Sequence, residues 1–243
     1  MKRRLDQEMV ARELVNSRSQ AESFIRLGKV EVNGKLAQKT SLMVESNDKV
    51  KLLVEEQYVS RAGLKLASVA EFLDVNFHQK TVLDVGSSTG GFTDYALKHG
   101  AQKVVAVDVG TEQLHPSLRD DKRIELHEKT DVRTLKLAEL PDVIVIDVSF
   151  ISLREILPYV ANFLASQQTQ IIAMAKPQFE AGRDQVNKGV IKNDKIRRQI
   201  LADFEAWSRD RFVIVNKRDS DVAGARGNQE RFYLLRVATK PIN

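Results

Sequence analysis

Apolar positions change rhythm along this chain, and the changes mark its elements. Leu5, Met9, Val10 and Leu14 recur at helical spacing, and so do Ala21, Phe24, Ile25 and Leu27; this is the spacing that lines one face of a helix. Asn16-Ser17 is a turn and cap signal before the second helix, and Gly28 stands just past it as a C′ residue. The period then shortens to two. Val30-Glu31-Val32 reads as a strand, Asn33-Gly34 as a hairpin turn, and Val50 to Val54 as a closing strand. Residues 1–56 are therefore expected to form a small α+β domain, two helices followed by a curled antiparallel sheet.

Residues 57–62 are too apolar, at Tyr58 and Val59, for a free tether and read as a short, partly ordered linker. Gly63 to Leu73 has helical spacing, with Leu64, Leu66, Ala67, Ala70 and Phe72 apolar and Lys65 on the same helix. Short apolar runs then alternate with helical segments through the rest of 63–243. The strands are Val82-Leu83, Val104 to Val107, Ile124 to Leu126, Val143 to Ile146 and Ile171 to Ala175. That alternation predicts an α/β domain of Rossmann-like type with a mostly parallel sheet. Phe212 to Val215 and Phe232 to Val237 complete it as a hairpin-like edge, and Asn187 to Asn193, polar and glycine-containing, reads as a mobile lid.

Right-handed crossovers bring the carboxyl ends of parallel strands to one edge, where small ligands bind. Asp84, Asp108, Asp147 and Lys176 each end such a strand, and Asp131 follows the run at 124–126. The turn Asp84-Val85-Gly86-Ser87-Ser88-Thr89-Gly90-Gly91 leads into Phe92 to His99, a helix stopped by Gly100. A dinucleotide site would read G-x-G-x-x-G. Here an acid comes first, which suits a ligand carrying an ammonium or methionine group better than a diphosphate. S-adenosylmethionine is favoured over NAD, with Asp108 taking the ribose hydroxyls and Asp131 the adenine amino group. A turn that merely joined strand to helix would need no acid at each strand end.

Composition narrows the classes. Cysteine is absent, so there is neither a disulfide framework nor a thiolate metal site, and the four histidines have no metal-ligand spacing. No apolar run approaches a membrane span, and the charged start, Met1 to Glu8, has no signal-type apolar region after it. The expectation is a cytoplasmic protein with no membrane and no metal. A net charge of +5 permits nucleic-acid binding without establishing it.

The first segment resembles the RNA-binding module named after small-ribosomal-subunit protein four. Arg4-Leu5-Asp6, Ser17 to Ala21, Ile25, Gly28 to Gly34, Lys39-Thr40-Ser41 and Asp48-Lys49-Val50 carry the likeness. It implies contact with structured RNA, for which Arg3, Arg4, Arg18, Arg26 and Lys29 are the candidate phosphate ligands.

The larger segment resembles the FtsJ-like ribose 2′-O-methyltransferases, and the whole chain the TlyA family of ribosomal RNA methyltransferases. The carrying motifs are Ser60 to Leu66, Asp84 to Phe92, Asp147 to Leu153, Lys176 to Glu180 and Gly227 to Phe232. The resemblance implies S-adenosylmethionine as cofactor and ribosomal RNA or ribosomal subunits as partner, without setting an oligomeric state. It implies a cytidine target in large-subunit RNA, with small-subunit RNA as a second substrate. The family's Lys-Asp-Lys-Glu tetrad falls on Lys65, Asp147, Lys176 and Glu230.

That tetrad makes chemical sense. A ribose hydroxyl needs to begin losing its proton before it attacks a sulfonium. Lys176 is the candidate base; Lys65, the sulfonium and partial burial favour its neutral form, while Asp147 and Glu230 orient the lysines. In the alternative, Lys176 stays charged and stabilises the developing alkoxide, and neither version requires a metal. The competing classes are a non-catalytic RNA-binding or assembly factor, a membrane-active haemolysin (a label some family members carry), and a pseudouridine synthase, which shares the small module but not the glycine turn.

Overall fold

The structure is a computed structural model that describes residues 2–15, 17–53, 58–181, 190–191, 193–222, 224 and 227–239. The chain divides into two compact units, Met1–Arg61 and Ala62–Asn243.

The first unit contains, in order, β1 (Arg3–Arg4), α1 (Leu5–Ala11), α2 (Arg18–Arg26), β2 (Val30–Val32), β3 (Lys35–Leu36), β4 (Met43–Val44) and β5 (Val50–Leu52). Leu5, Met9, Ala21, Phe24 and Ile25 are the buried stripes of its two helices. Ser17 caps α2 by accepting from the Gln20 amide at 3.2 Å, which satisfies one of the free amides of the first turn. Asn33 and Gly34 both adopt positive φ, 51° and 77°, as a two-residue hairpin turn requires, and β3, β2 and β5 form the antiparallel sheet.

Two details differ from the sequence reading. Arg3-Arg4 is a strand paired with Met43–Val44. α1 ends at Ala11, leaving Leu14 beyond it, because Glu13 takes a left-handed conformation, φ 56°, and the Leu14 amide turns back to the Met9 carbonyl. Tyr58, in the segment read as too apolar for a free tether, is buried, and its carbonyl accepts from Gln20 Nε2 at 3.1 Å.

The second unit begins with α3 (Arg61–Leu73), two residues earlier than its apolar pattern suggests. There follow β6 (Thr81–Val85), α4 (Gly91–Lys98), β7 (Lys103–Val107), α5 (Pro116–Arg119), β8 (Ile124–His127) and β9 (Val143–Ile146). Next come α6 (Leu153–Tyr159), which runs on as a π-helical turn over Val160–Leu164, then β10 (Gln170–Ala175), α7 (Pro177–Glu180), α8 (Asp194–Ser208), β11 (Phe212–Asp219) and β12 (Arg231–Val237).

The sheet order is β11-β12-β10-β9-β6-β7-β8. The strands from β6 to β10 are parallel, and β12 is antiparallel to both of its neighbours. Leu83, Ile144, Ile146, Leu157, Phe204 and Tyr233 lie in its core. Because β12 runs backwards, its first residues lie at the edge where the parallel strands end, and Glu230 reaches that edge without a parallel strand of its own.

Asp84 also departs from the pattern. It lies inside β6, paired in register with Ala106 and Val145, rather than in the turn. Of the stretch read as a lid, residues 187–189 and 192 lie outside the described residues; Ile191 donates to Asn228 Oδ1, and Asn193 caps α8. No helix among the described residues is long and apolar enough to cross a membrane.

Candidate active site

Two buried lysine–carboxylate pairs form at this edge. Lys65 Nζ, from α3, meets Glu230 Oε2 at 2.5 Å. Lys176 Nζ, just past β10, meets Asp147 Oδ1 at 2.5 Å and donates to Ser149 Oγ at 2.7 Å. Lys65, Lys176 and Glu230 are each buried. The sheet register brings the pairs together. Ala175 is paired with Arg231, so Lys176 and Glu230 flank that last rung, and Ala173 is paired with Ile146, one residue before Asp147. Burying two ion pairs side by side is costly unless each charge keeps its partner.

Two cavities open beside them. The larger, about 560 Å³, is lined by residues from the ends of β6, β7 and β9, among them Gly86, Ser88, Asp108, Asp131, Phe150 and Ile151. The smaller, about 140 Å³, is lined by Asp84, Ser87, Thr89, Phe92, Lys176 and others. Gly86, Ser88, Asp147 and Ser149 line both. Gly86 has φ 81°, and a Cβ there would stand 2.7 Å from the Asp147 carbonyl oxygen. Any side chain would both strain the turn and push β9 away.

The carboxylates differ in state. Asp84 is fully buried; Thr93 Oγ1 donates to its Oδ2 at 2.6 Å, and its Oδ1 has no partner. Burial pushes its pKa up to about 7 against the Thr93 hydrogen bond, and the nearby Asp147 and Asp108 charges push the same way. A buried, incompletely bonded carboxylate is stabilised in its charged form by a nearby cation. Asp108 accepts from the amides of Ser88 at 2.8 Å and Gly110 at 2.7 Å, tying the glycine turn to the end of β7.

Asp131 caps a short 3-10 turn and is gripped by the Arg133 guanidinium, which holds its carboxyl below the usual range. Both of its oxygens are therefore engaged by a neighbour that the sequence reading did not consider. Gly90 and Gly91 begin α4 and are not among the residues lining either cavity; Phe92 packs against Phe232 at 6.1 Å between ring centroids.

Three residues outside the expected set shape the site. Ser149 bonds Lys176. Phe150, 91% exposed, lines the larger cavity and lies against Phe179 at 5.3 Å. Glu180 accepts from Ser152 Oγ at 2.5 Å and the Leu153 amide at 2.7 Å, and its burial raises its pKa. All three lie in motifs quoted above, but nothing in those motifs sets their side-chain directions.

In the first unit, Arg4 and Arg18 converge on the buried Asp6, whose carboxyl they pull down to about 2, and Arg3 pairs with Glu8. Arg26 and Lys29 are exposed.

The chain matches the family model of FtsJ-like methyltransferases over residues 58–237 and that of the S4 domain over residues 3–50. A 23S rRNA (cytidine-2′-O)-methyltransferase TlyA from Campylobacter jejuni is 44% identical over 184 residues, 74% of this chain and 72% of the relative. A 16S/23S rRNA (cytidine-2′-O)-methyltransferase TlyA from Mycobacterium tuberculosis is 37% identical over 97% of this chain and 90% of its own length. A solved structure from Streptococcus thermophilus, described as a hemolysin, superposes with a TM-score of 0.73 at 36% identity, over 99% of this chain and 90% of that one. The chain belongs to the FtsJ-like methyltransferases that carry an N-terminal S4 domain, the family of the TlyA ribosomal RNA methyltransferases.

Proposed function

We propose that this chain is an S-adenosylmethionine-dependent ribosomal RNA methyltransferase that methylates the ribose 2′-hydroxyl of a cytidine, acting in the cytoplasm on 23S RNA and also on 16S RNA. The observation that carries the reading is the buried Lys176–Asp147 pair, which lines the same cavity as the incompletely bonded Asp84.

The residues fit the cofactor. Asp84 offers a free buried oxygen for its ammonium, Ser87, Ser88 and Thr89 line the same small cavity, and Asp108 and Asp131 line the larger one, wide enough for a nucleoside. When bound, the cofactor supplies an electrophilic methyl group for in-line displacement. The protein's part is to align the ribose hydroxyl and manage its proton. Lys176 Nζ either accepts that proton or, remaining charged, stabilises the developing alkoxide. Lys65 and Glu230, held as a second pair at the adjoining strand end, keep the acceptor side of the cleft polar and fixed.

The test is single-turnover methyl transfer to ribosomal RNA by Lys176→Ala. Turnover should be lost while cofactor and RNA affinity stay nearly unchanged, because the interaction acts on the rate. Substantial methyl transfer by the variant would remove Lys176 from the chemistry. A pH–rate profile then chooses between the two roles: a base requires activity to rise with pH along a lysine limb, and a permanently charged lysine gives no such limb.

A further inference from the structure

We propose that Ser149 is a positioning residue that fixes the amine of Lys176 for methyl transfer; the inference rests on the reading of Lys176 given above. An ammonium has three N–H directions. At Lys176, Asp147 takes one at 2.5 Å and Ser149 Oγ takes a second at 2.7 Å. One direction remains, and the cavity that Lys176, Asp147 and Ser149 line together is the space open to it. With two anchors the remaining direction is set; with one, the group rotates about the contact to Asp147.

The two anchors are not equivalent. Attraction to the Asp147 carboxylate depends on the lysine's charge. A hydroxyl accepts from an N–H whether the amine is charged or neutral. Ser149 therefore holds the group through either version of the chemistry, including a moment at which the charge on Nζ is partly transferred.

The backbone is built to hold Ser149 there. Phe150, next in the chain, has φ 66°, a left-handed conformation that bulky residues seldom adopt. The Lys176–Glu180 segment fastens the loop at three points: Lys176 to Ser149, the Phe179 ring to Phe150, and Glu180 to both Ser152 and the Leu153 amide. The segment that carries the lysine thus also sets the loop that carries its second anchor. Ser149 lines both cavities, so it stands where the two meet, beside Lys176.

The experiment is steady-state and single-turnover methyl transfer to ribosomal RNA by the full chain, comparing Ser149→Ala, Ser149→Thr and Lys176→Ala, with cofactor affinity by calorimetry. Ser149→Ala should lower kcat by about 10- to 100-fold, the range for losing a hydrogen bond to a charged group. KM for RNA and the cofactor Kd should stay within about twofold of the parent, since the lost contact orients a reacting group and binds neither substrate. Ser149→Thr keeps the hydroxyl and should restore most of the rate. Unchanged kcat in Ser149→Ala alongside an inactive Lys176→Ala would overturn the proposal and leave the reading of Lys176 standing. A rate loss that Ser149→Thr does not restore, or one accompanied by weaker cofactor binding, would assign the residue to the shape of the loop and overturn it as well. An active Lys176→Ala would instead remove the reading on which the proposal rests.

Discussion

Replacing Asp84 by asparagine should change stability and cofactor affinity in opposite directions. The carboxyl is fully buried, accepts one hydrogen bond from Thr93 and leaves its other oxygen bare. Its pKa rises from the ordinary 3.8 to about 7. The folded protein therefore keeps a proton that the unfolded chain loses between about pH 4 and pH 7. The stability this carries is full below the unfolded value and is lost as pH rises through the folded one. Roughly three pH units at about 1.36 kcal/mol each put the cost of the buried charge near 4 kcal/mol above pH 7. Asparagine has the same shape and no charge to bury, but its amide nitrogen inherits the unpartnered position at a cost of about 1–3 kcal/mol.

Without cofactor, Asp84→Asn should be more stable than the parent by about 1–3 kcal/mol at pH 8 and less stable by up to about 1–3 kcal/mol at pH 4, where the parent carries no buried charge, as measured by urea unfolding. With cofactor the order reverses, because the variant has no carboxylate to meet the ammonium. Affinity should fall about 10- to 100-fold, the range of a charge-assisted hydrogen bond. Calorimetry at pH 6.5 in buffers of different ionisation enthalpy supplies an independent check: the parent should release up to about one proton on binding, and the variant none. A variant no more stable than the parent at pH 8, or a parent that releases no proton, would show that burial does not hold Asp84 protonated, and unchanged affinity in the variant would show that Asp84 is not the receptor for the cationic end.

Asp108→Ala should weaken cofactor binding by about 1–3 kcal/mol in the same calorimeter, since the ribose hydroxyls lose their acceptor; unchanged affinity would take Asp108 out of the site. In the S4 domain, Arg26→Glu combined with Lys29→Glu should weaken ribosomal RNA binding and flatten the plot of log affinity against log salt by about 2, one for each lost phosphate contact. An unaltered salt slope would mean that these two exposed cations face solvent in the complex.

The large sheet was legible because parallel strands are covered on both faces and read as unbroken apolar runs. Val143 to Ile146 and Ile171 to Ala175 came through with nearly their observed ends. The short pairing of Arg3-Arg4 with Met43–Val44 did not. Two residues make no period, and the two halves lie far apart in sequence. The apolar run Val82-Leu83 stops short of Asp84, so the pattern alone ends the strand there, whereas β6 runs on to Val85. The strand tolerates the Asp84 carboxyl through the hydroxyl that Thr93 returns from α4 and through the proton that burial helps it keep.

The candidate site divides along the same physical line. Strand ends are one-dimensional features, so Asp108, Asp147 and Lys176 could be placed on one edge from hydrophobic runs alone. Partnerships are three-dimensional, and they decide what each group does. Lys65 meets Glu230 only because β12 runs backwards into the edge, which no local pattern announces. Asp131 shows the opposite case. Its grip on Arg133 spans two residues and begins at a helix-cap position, so an acid before a short turn with arginine two places on was a readable sign that both oxygens are occupied. Ser149 was beyond reach. Its loop passes through a left-handed Phe150, a conformation for which phenylalanine has no intrinsic preference, and is fastened by contacts from Phe179 and Glu180, a separate segment of the chain. Where a local conformation is set by distant contacts against its own propensity, the sequence of the loop alone cannot disclose it, and such strained positions gather beside functional groups because the surrounding packing is what holds those groups in place.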